Sequence, residues 1–271
     1  MACALIVTGA GAVQANNAIV ATIENAKSGT TVNVSGTYSG ITTSITVPSG
    51  VTVQGPATFV FTTGASADGF YVPSGNSGVK LNSLTVQGAN HGIMVYGSSC
   101  TINSCISEYN YNTGIEIIGS SAKNNIVENC QSKDNADSSG GNADGITVKF
   151  GSSTGNKVEN CDAHQNSDDG YDYAGAGAPV LTTGCKSYNN GAYNGKTGNG
   201  DGFKMGLAGY SNESHTYTSC TAYSNTAGDT GSGFDSNNNL GPIYLNYCHS
   251  YSNKQADRLQ NVVLNNCTMQ N

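Results

Sequence analysis

The sequence contains no tryptophan, and charged residues make up only 11% of its 271 positions. Lys and Arg together number 11 against 18 Asp and Glu, giving a net charge of −7. No run of basic residues occurs, so a nucleic-acid partner is not expected. No apolar stretch approaches the ~18–20 residues that span a bilayer, so no membrane segment is expected either. The first residues, Met1-Ala2-Cys3-Ala4-Leu5-Ile6-Val7, have no basic segment and are too short for a signal peptide. Helix-forming stretches are equally scarce. Residues 14–26 form the one good helical window, with Ala18, Ile19 and Ile23 near a helical period and Lys27-Ser28-Gly29 as a stop.

Glycine, at 36 residues, is plentiful, and so are Asn, Ser and Thr. Short alternating stretches, Thr31–Val34, Ile45–Val47 and Val51–Val53, lie between Gly and Pro punctuation and predict strands. From residue 67 a repeat emerges. Gly followed by an apolar residue recurs at 69, 92, 114, 145, 170, 202 and 233, at intervals (by subtraction) of 23, 22, 31, 25, 32 and 31. Seven of the nine cysteines recur in one frame, at 105, 130, 161, 185, 220, 248 and 267. Five residues after six of them stands Asn: 110, 135, 166, 190, 225 and 253.

Self-similarity at this period, built from short strands, predicts an all-β parallel β-solenoid rather than a sandwich. The cysteines are expected to be small buried hydrophobes in an internal column rather than a disulfide framework. The asparagines are expected to stack at a turn and hydrogen-bond along the stack. With no linker or composition break, residues 1–271 are expected to form one domain, with the helix over 14–26 covering its open end.

Stacking brings distant residues together. Side chains alternate faces along a strand. The apolar residue after each landmark Gly therefore points inward, and the next one points outward. That outward column reads Tyr71, Met94, Glu116, Thr147, Asp172, Lys204, Asp235. The residues preceding the glycines read Asp68, His91, Thr113, Asp144, Asp169, Asp201, Ser232. Asp144, Asp168, Asp169 and Asp172 thus converge from two adjacent coils. Asp-Gly pairs are also ordinary turn chemistry, which suffices for Asp68-Gly69 and Asp201-Gly202. An outward Asp172 beside Asp168 and Asp169 is different, because like charges repel unless a cation joins them. Oxygen-only ligands suit a hard ion such as Ca2+. Lys204 is either a solvated lysine pairing with Asp172 and Asp235, or a base whose proton affinity a nearby cation lowers. Lys149 and Arg258, the lone arginine, are either surface charges or contacts for a substrate carboxylate.

The segments Asn142-Ala143-Asp144-Gly145, Asn166-Ser167-Asp168-Asp169-Gly170-Tyr171-Asp172, Gly200-Asp201-Gly202-Phe203-Lys204-Met205-Gly206 and Gly233-Phe234-Asp235-Ser236-Asn237-Asn238 resemble the family 9 polysaccharide lyases, calcium-dependent pectate lyases on a right-handed parallel β-helix. With the asparagine column, the resemblance covers roughly residues 90–270. It implies that Asp144, Asp168, Asp169 and Asp172 bind calcium and that Lys204 is the Brønsted base. The substrate it implies is an acidic polysaccharide, most simply pectate; Lys149, Asp235 and Arg258 are, on their own placement, the candidate contacts for it. A secreted, monomeric enzyme is the corresponding expectation. Two positions depart from the family pattern, which usually has Trp at Tyr171 and Asn at Asp201. Rival expectations are a uronan C5-epimerase, a polygalacturonase-type hydrolase using paired carboxylates, and a non-catalytic carbohydrate-binding solenoid.

Overall fold

A computed structural model describes residues 4–8, 12–210 and 212–271, with side chains described from residue 16 onward. Cys3 lies outside the described residues. Among these residues the strands form a 17-stranded and an eight-stranded parallel sheet, plus a small antiparallel hairpin, Ala192–Tyr193 with Lys196–Thr197.

One coil shows how the sequence builds the stack. Ile146–Lys149 lies in the eight-stranded sheet, and Lys157–Glu159 begins the larger one. Asn160, at φ 52°, bends the chain sharply before Cys161 and the strand Asp162–His164. Gln165, at φ 56°, makes the next corner, and Asn166 follows it. The chain then reaches Tyr171–Asp172, one strand along from where it began. The same left-handed corners recur at Ser104, Asn129, Gly184, Ser219, Tyr247 and Asn266. Most of these are small or amide residues, the types that tolerate this region.

Both predicted internal columns form. Cys105, Cys130, Cys161, Cys185, Cys220 and Cys248 are buried free thiols, and Cys267 is partly buried. The amides of Asn110, Asn135, Asn166, Asn190, Asn225 and Asn253 form a ladder, each Nδ2 donating to the next Oδ1 at 2.9–3.1 Å. A shorter ladder, unforeseen from the repeat, joins Asn156 and Asn125 to the backbone of Asn125 and Cys100.

The inward residues Phe70, Ile93, Ile115, Ile146, Tyr171, Phe203 and Phe234 are fully buried. Tyr171, Phe203 and Phe234 stack ring on ring, with centroids 4.6 and 4.8 Å apart. Burying each such ring contributes about 1.5–3 kcal/mol. Tyr171 remains compatible with the core because its hydroxyl donates to the Cys161 carbonyl at 2.7 Å.

The landmark glycines are required for a reason other than turn conformation. None of them adopts positive φ. A Cβ on Gly170 would meet Ser187 Oγ at 2.0 Å, and one on Gly202 would meet the Gly233 carbonyl oxygen at 2.5 Å. Close approach between coils, not a left-handed turn, excludes a side chain there.

The helix spans Ala12–Glu24, two residues earlier at each end than the predicted 14–26. Ile19 and Ile23 are fully buried, whereas Ala18 faces solvent, so the apolar stripe is narrower than expected. The strand Ala4–Thr8 pairs in parallel with Thr31–Ser35, and Val262–Asn265 stacks on Ile243–Asn246 as a further coil. Among the described residues, no helix is long and apolar enough to cross a membrane.

Candidate metal centre

The register sets the site. Thr147 pairs with Asp172, Asp172 with Lys204, and Lys204 with Asp235 on successive strands of the eight-stranded sheet. Just upstream, the turn residues form a second ladder through their backbones. Asp144 Oδ1 accepts from the Asp169 N–H at 3.1 Å. Asp169 Oδ1 accepts from the Asp201 N–H at 2.7 Å, and Asp201 Oδ1 from the Ser232 N–H at 2.8 Å. Each carboxylate thus spends one oxygen on holding the next coil and turns the other toward its neighbours.

Asp144, Asp168 and Asp169 each present an oxygen within 4.8 Å of the others. All three are buried, with Asp168 only 3% exposed, in contrast to the exposed patch expected from the sequence. Burial is the main cause that raises their pKa values, to about 7 for Asp144, about 9 for Asp168 and about 7 for Asp169. Mutual repulsion adds to the shift, while Lys149 relieves Asp144 and Lys204 relieves Asp169.

Two lysines reach into the cluster. Lys149 Nζ lies 2.6 Å from Asp144 Oδ2 and 2.9 Å from Asp172 Oδ2. Lys204 Nζ lies 3.0 Å from Asp169 Oδ2 and 3.6 Å from Asp172 Oδ2. Asp172 stands outside the triad. Burial pushes its pKa up, but the two lysines and the Ala174 N–H, at 2.9 Å, hold it below the usual carboxylate value. Burial alone would lower the Lys204 pKa, yet the fields of Asp169, Asp172 and Asp144 raise it. Lys204 is therefore an ammonium among carboxylates here, not a free base.

Asp168 differs from its neighbours. Among the described residues no cation lies within ion-pair distance of it, and the hydrogen bond it accepts is from the Asn199 N–H, 2.7 Å from Oδ1. A buried carboxylate with a single amide donor is costly unless another positive charge reaches it. Three oxygen ligands converging beside such a group fit a hard divalent cation. Gly198 permits this approach, because a Cβ there would come within 2.5 Å of Asp168 Oδ1.

Of the remaining sequence-predicted residues, Asp235 and Arg258 meet one strand beyond Lys204. Arg258 Nη2 pairs with Asp201 Oδ2 at 3.0 Å and also with Asp235 Oδ2. Its side chain remains 42% exposed. Lys149, expected as a surface charge or substrate contact, is instead a partner of Asp144 and Asp172. Asp201, read from the sequence as a turn residue, is buried and links the triad to Arg258. Its signal was its place in the pre-glycine column. At the other end, His91 bridges Asp68 and Glu116, at 2.8 and 3.1 Å. That pairing was visible only as column neighbours.

The family model described as "Pel9A-like, right handed beta helix region" matches residues 3–267. Pectate lyase L of Thermoclostridium stercorarium is 35% identical over 182 residues, which is 61% of this chain and 14% of that protein. The chain therefore spans about 14% of the length of the curated relative it matches. The crystal structure of pectate lyase Pel9A superposes with a TM-score of 0.69 at 25% identity, covering 92% of this chain and 72% of that one. A rhamnogalacturonan lyase gives a TM-score of 0.68 at 24% identity, over 86% and 68% of the two chains, a likeness of fold.

Proposed function

The chain belongs to the Pel9A-like right-handed β-helix family, and from that premise we propose that it is a calcium-dependent polysaccharide lyase acting on pectate or a related 4-linked uronan. One observation carries the reading. The buried triad Asp144, Asp168 and Asp169 stands in contact with a lysine, Lys204, positioned one strand from Asp172. Asp144, Asp168 and Asp169 would hold the calcium, joined by Asp172 once its lysine contacts loosen. A calcium ion bound there supplies positive charge that draws electron density from a uronate carboxylate and acidifies the adjacent carbon.

The protein's own part is positioning and proton transfer. Lys204, as the neutral amine, takes the hydrogen from the carbon bearing the carboxylate. The electron pair forms a carbon–carbon double bond, the bond to the 4-linked oxygen breaks, and that oxygen leaves with a proton from solvent. The carboxylates that now hold Lys204 protonated must therefore be neutralised before it can act. Lys149 and Arg258 meet the same outward column, at Asp172 and Asp235, and would exchange these aspartate partners for substrate carboxylates, with Asp235 orienting Arg258. An acidic extracellular polymer makes a secreted protein the natural setting.

The test is the ultraviolet absorbance of the unsaturated product on polygalacturonate, with calcium and then with chelator, for the wild type and Lys204→Ala. A signal that needs both calcium and Lys204 is expected, with a loss of at least about 10³-fold in the variant. Signal persisting in Lys204→Ala would remove the lysine from its role. Absence of product on every uronan, with calcium still bound, would leave an epimerase or a binding solenoid.

A further inference from the structure

A cleft of about 380 Å³ lies where the turn 136–142 and the hairpin Ala192–Thr197 come together. Its lining includes Asn90, Tyr111, Asn112, Asp137, Asn194 and Lys196. A second hollow of about 240 Å³ continues from it, sharing Tyr111 and Asn194 and adding Tyr109 and Tyr193.

The walls are tied to the metal centre. The turn carrying Asp137 runs directly into Asp144, and Ser167 Oγ donates to the Gly140 carbonyl at 3.0 Å. The segment leaving the hairpin supplies the Asn199 N–H to Asp168. Gly140 and Thr197 approach so closely that a Cβ on Gly140 would meet the Thr197 carbonyl oxygen at 2.4 Å.

Its chemistry is specific. Tyr111 is 51% exposed, offering a ring face of the kind that packs on the C–H face of a pyranose. Side-chain amides from Asn90, Asn112 and Asn194 surround it. Lys196 is the informative member, since no described carboxylate lies within 4.0 Å of its ammonium. Asp137, which shares the cleft, does not neutralise it. Its oxygens accept from the backbone N–H and hydroxyl of Ser139, and from the backbone and side-chain amides of Asn142. An acidic chain thus holds an ammonium without a described carboxylate partner in one cleft with an open tyrosine, and the segments that wall the cleft also bond to the candidate metal centre.

We propose that this cleft is a subsite for one uronate residue of the polysaccharide, with Tyr111 stacking on the sugar ring and Lys196 pairing with its carboxylate. The inference rests on the lyase reading for the nature of the ligand but not for its test. Hexagalacturonate is titrated calorimetrically in chelator, where turnover is suppressed, into the wild type, Tyr111→Ala and Lys196→Gln. Both positions are solvent-facing, so the variants should fold. About tenfold weaker binding is expected in each, corresponding to one lost contact of about 1.4 kcal/mol. The methyl-esterified hexamer should bind the wild type at least as weakly as the charged hexamer binds Lys196→Gln, because it also loses the carboxylates assigned to Lys149 and Arg258. In turnover with calcium, the loss should fall on KM rather than kcat. Equal affinity across the three proteins would overturn the subsite, whether or not the wild type cleaves. An esterified hexamer binding as tightly as the charged one would overturn the role given to Lys196. Binding lost in the variants while the wild type yields no unsaturated product would uphold the cleft and refute the lyase.

Discussion

Chelating divalent cations and raising the pH should act together on this fold, because three buried carboxyls share one wall. Asp144, Asp168 and Asp169 have folded pKa values raised above the ordinary carboxylate value of 3.8. Without a cation, the folded state binds more protons than the unfolded chain through this window, so stability falls as pH rises. The three groups feel one another, so their costs do not add. Counting a single carboxyl moved from 3.8 to about 7, the loss is about 4 kcal/mol between pH 4 and 7. For a chain of this size that is about 10 °C in Tm. A cation that holds the carboxylates ionised removes the penalty, so calcium should stabilise weakly at pH 5 and strongly at pH 8. Differential scanning calorimetry at those two pH values, with calcium and with chelator, reads the effect directly. Asp168→Asn should flatten the pH slope in chelator. Asp68, Asp137 and Asp172, whose pKa values are lowered, act below the window. Asp201, raised to about 6, and His91, raised to about 9, also lose stability between pH 5 and 8, so the calcium-dependent part of the slope is the diagnostic. A chelated Tm that is the same at pH 5 and pH 8, or a calcium shift equal at both, would refute the reasoning.

Two further predictions concern the frame around the site. Asn190→Ala removes donors to Ala163, Ser187 and Asn225 and leaves the Asn166 amide without its acceptor. It should cost about 3–5 kcal/mol in urea unfolding, and a change under about 1 kcal/mol would mean the ladder is incidental. His91, raised to about 9 by Asp68 and Glu116 against the opposing effect of burial, contributes stability that is complete below its ordinary 6.5 and is lost as pH rises through about 9. The contribution is about 3 kcal/mol. An NMR titration of the imidazole reads it, and a midpoint near 6.5 would show that the two ion pairs do not form.

Much of this arrangement was legible because a solenoid converts sequence spacing into distance. Once Gly145, Gly170 and Gly202 are recognised as equivalent, Asp172 beside Lys204 follows without coordinates, as do the Asn and Cys columns. What was not legible depends on side-chain reach and on loops outside the repeat. Lys149 lies on the same strand as Thr147, and only its length lets Nζ lie between Asp144 and Asp172. Arg258 comes from an isolated bridge to Asp235 in the last coil, where the landmark pattern has ended. The hairpin Ala192–Thr197 sits in an insertion between landmarks, so no column placed it against Gly140. Burial of the aspartates was also invisible, since the turn 136–142 and that hairpin together cover what the strands alone would leave open.

The columns themselves separate structure from chemistry. Translation by one coil sets each residue against its own kind, so a column is stable alone only when like tolerates like. Asparagine does, because each amide is both donor and acceptor. Cysteine thiols and the Tyr171–Phe203–Phe234 rings do as well, through weak hydrogen bonds, dispersion and burial. Aspartate does not. Asp144 and Asp169 stack only by giving one oxygen each to a backbone N–H, and the charge left on the other oxygen has no counterpart in the repeat. Lys149 and Lys204 offset part of that charge, and among the described residues Asp168 has no ion-pair partner. A repeat built this economically elsewhere, with 11% charged residues in all, gathers like charges where the proposed cation would join them. The same step releases Lys204, since whatever neutralises the carboxylates removes the field that keeps it protonated. On the lyase reading proposed above, metal affinity and availability of the base would therefore be one property of this wall. A substitution such as Asp169→Asn should weaken calcium binding and alter the pH dependence of turnover together.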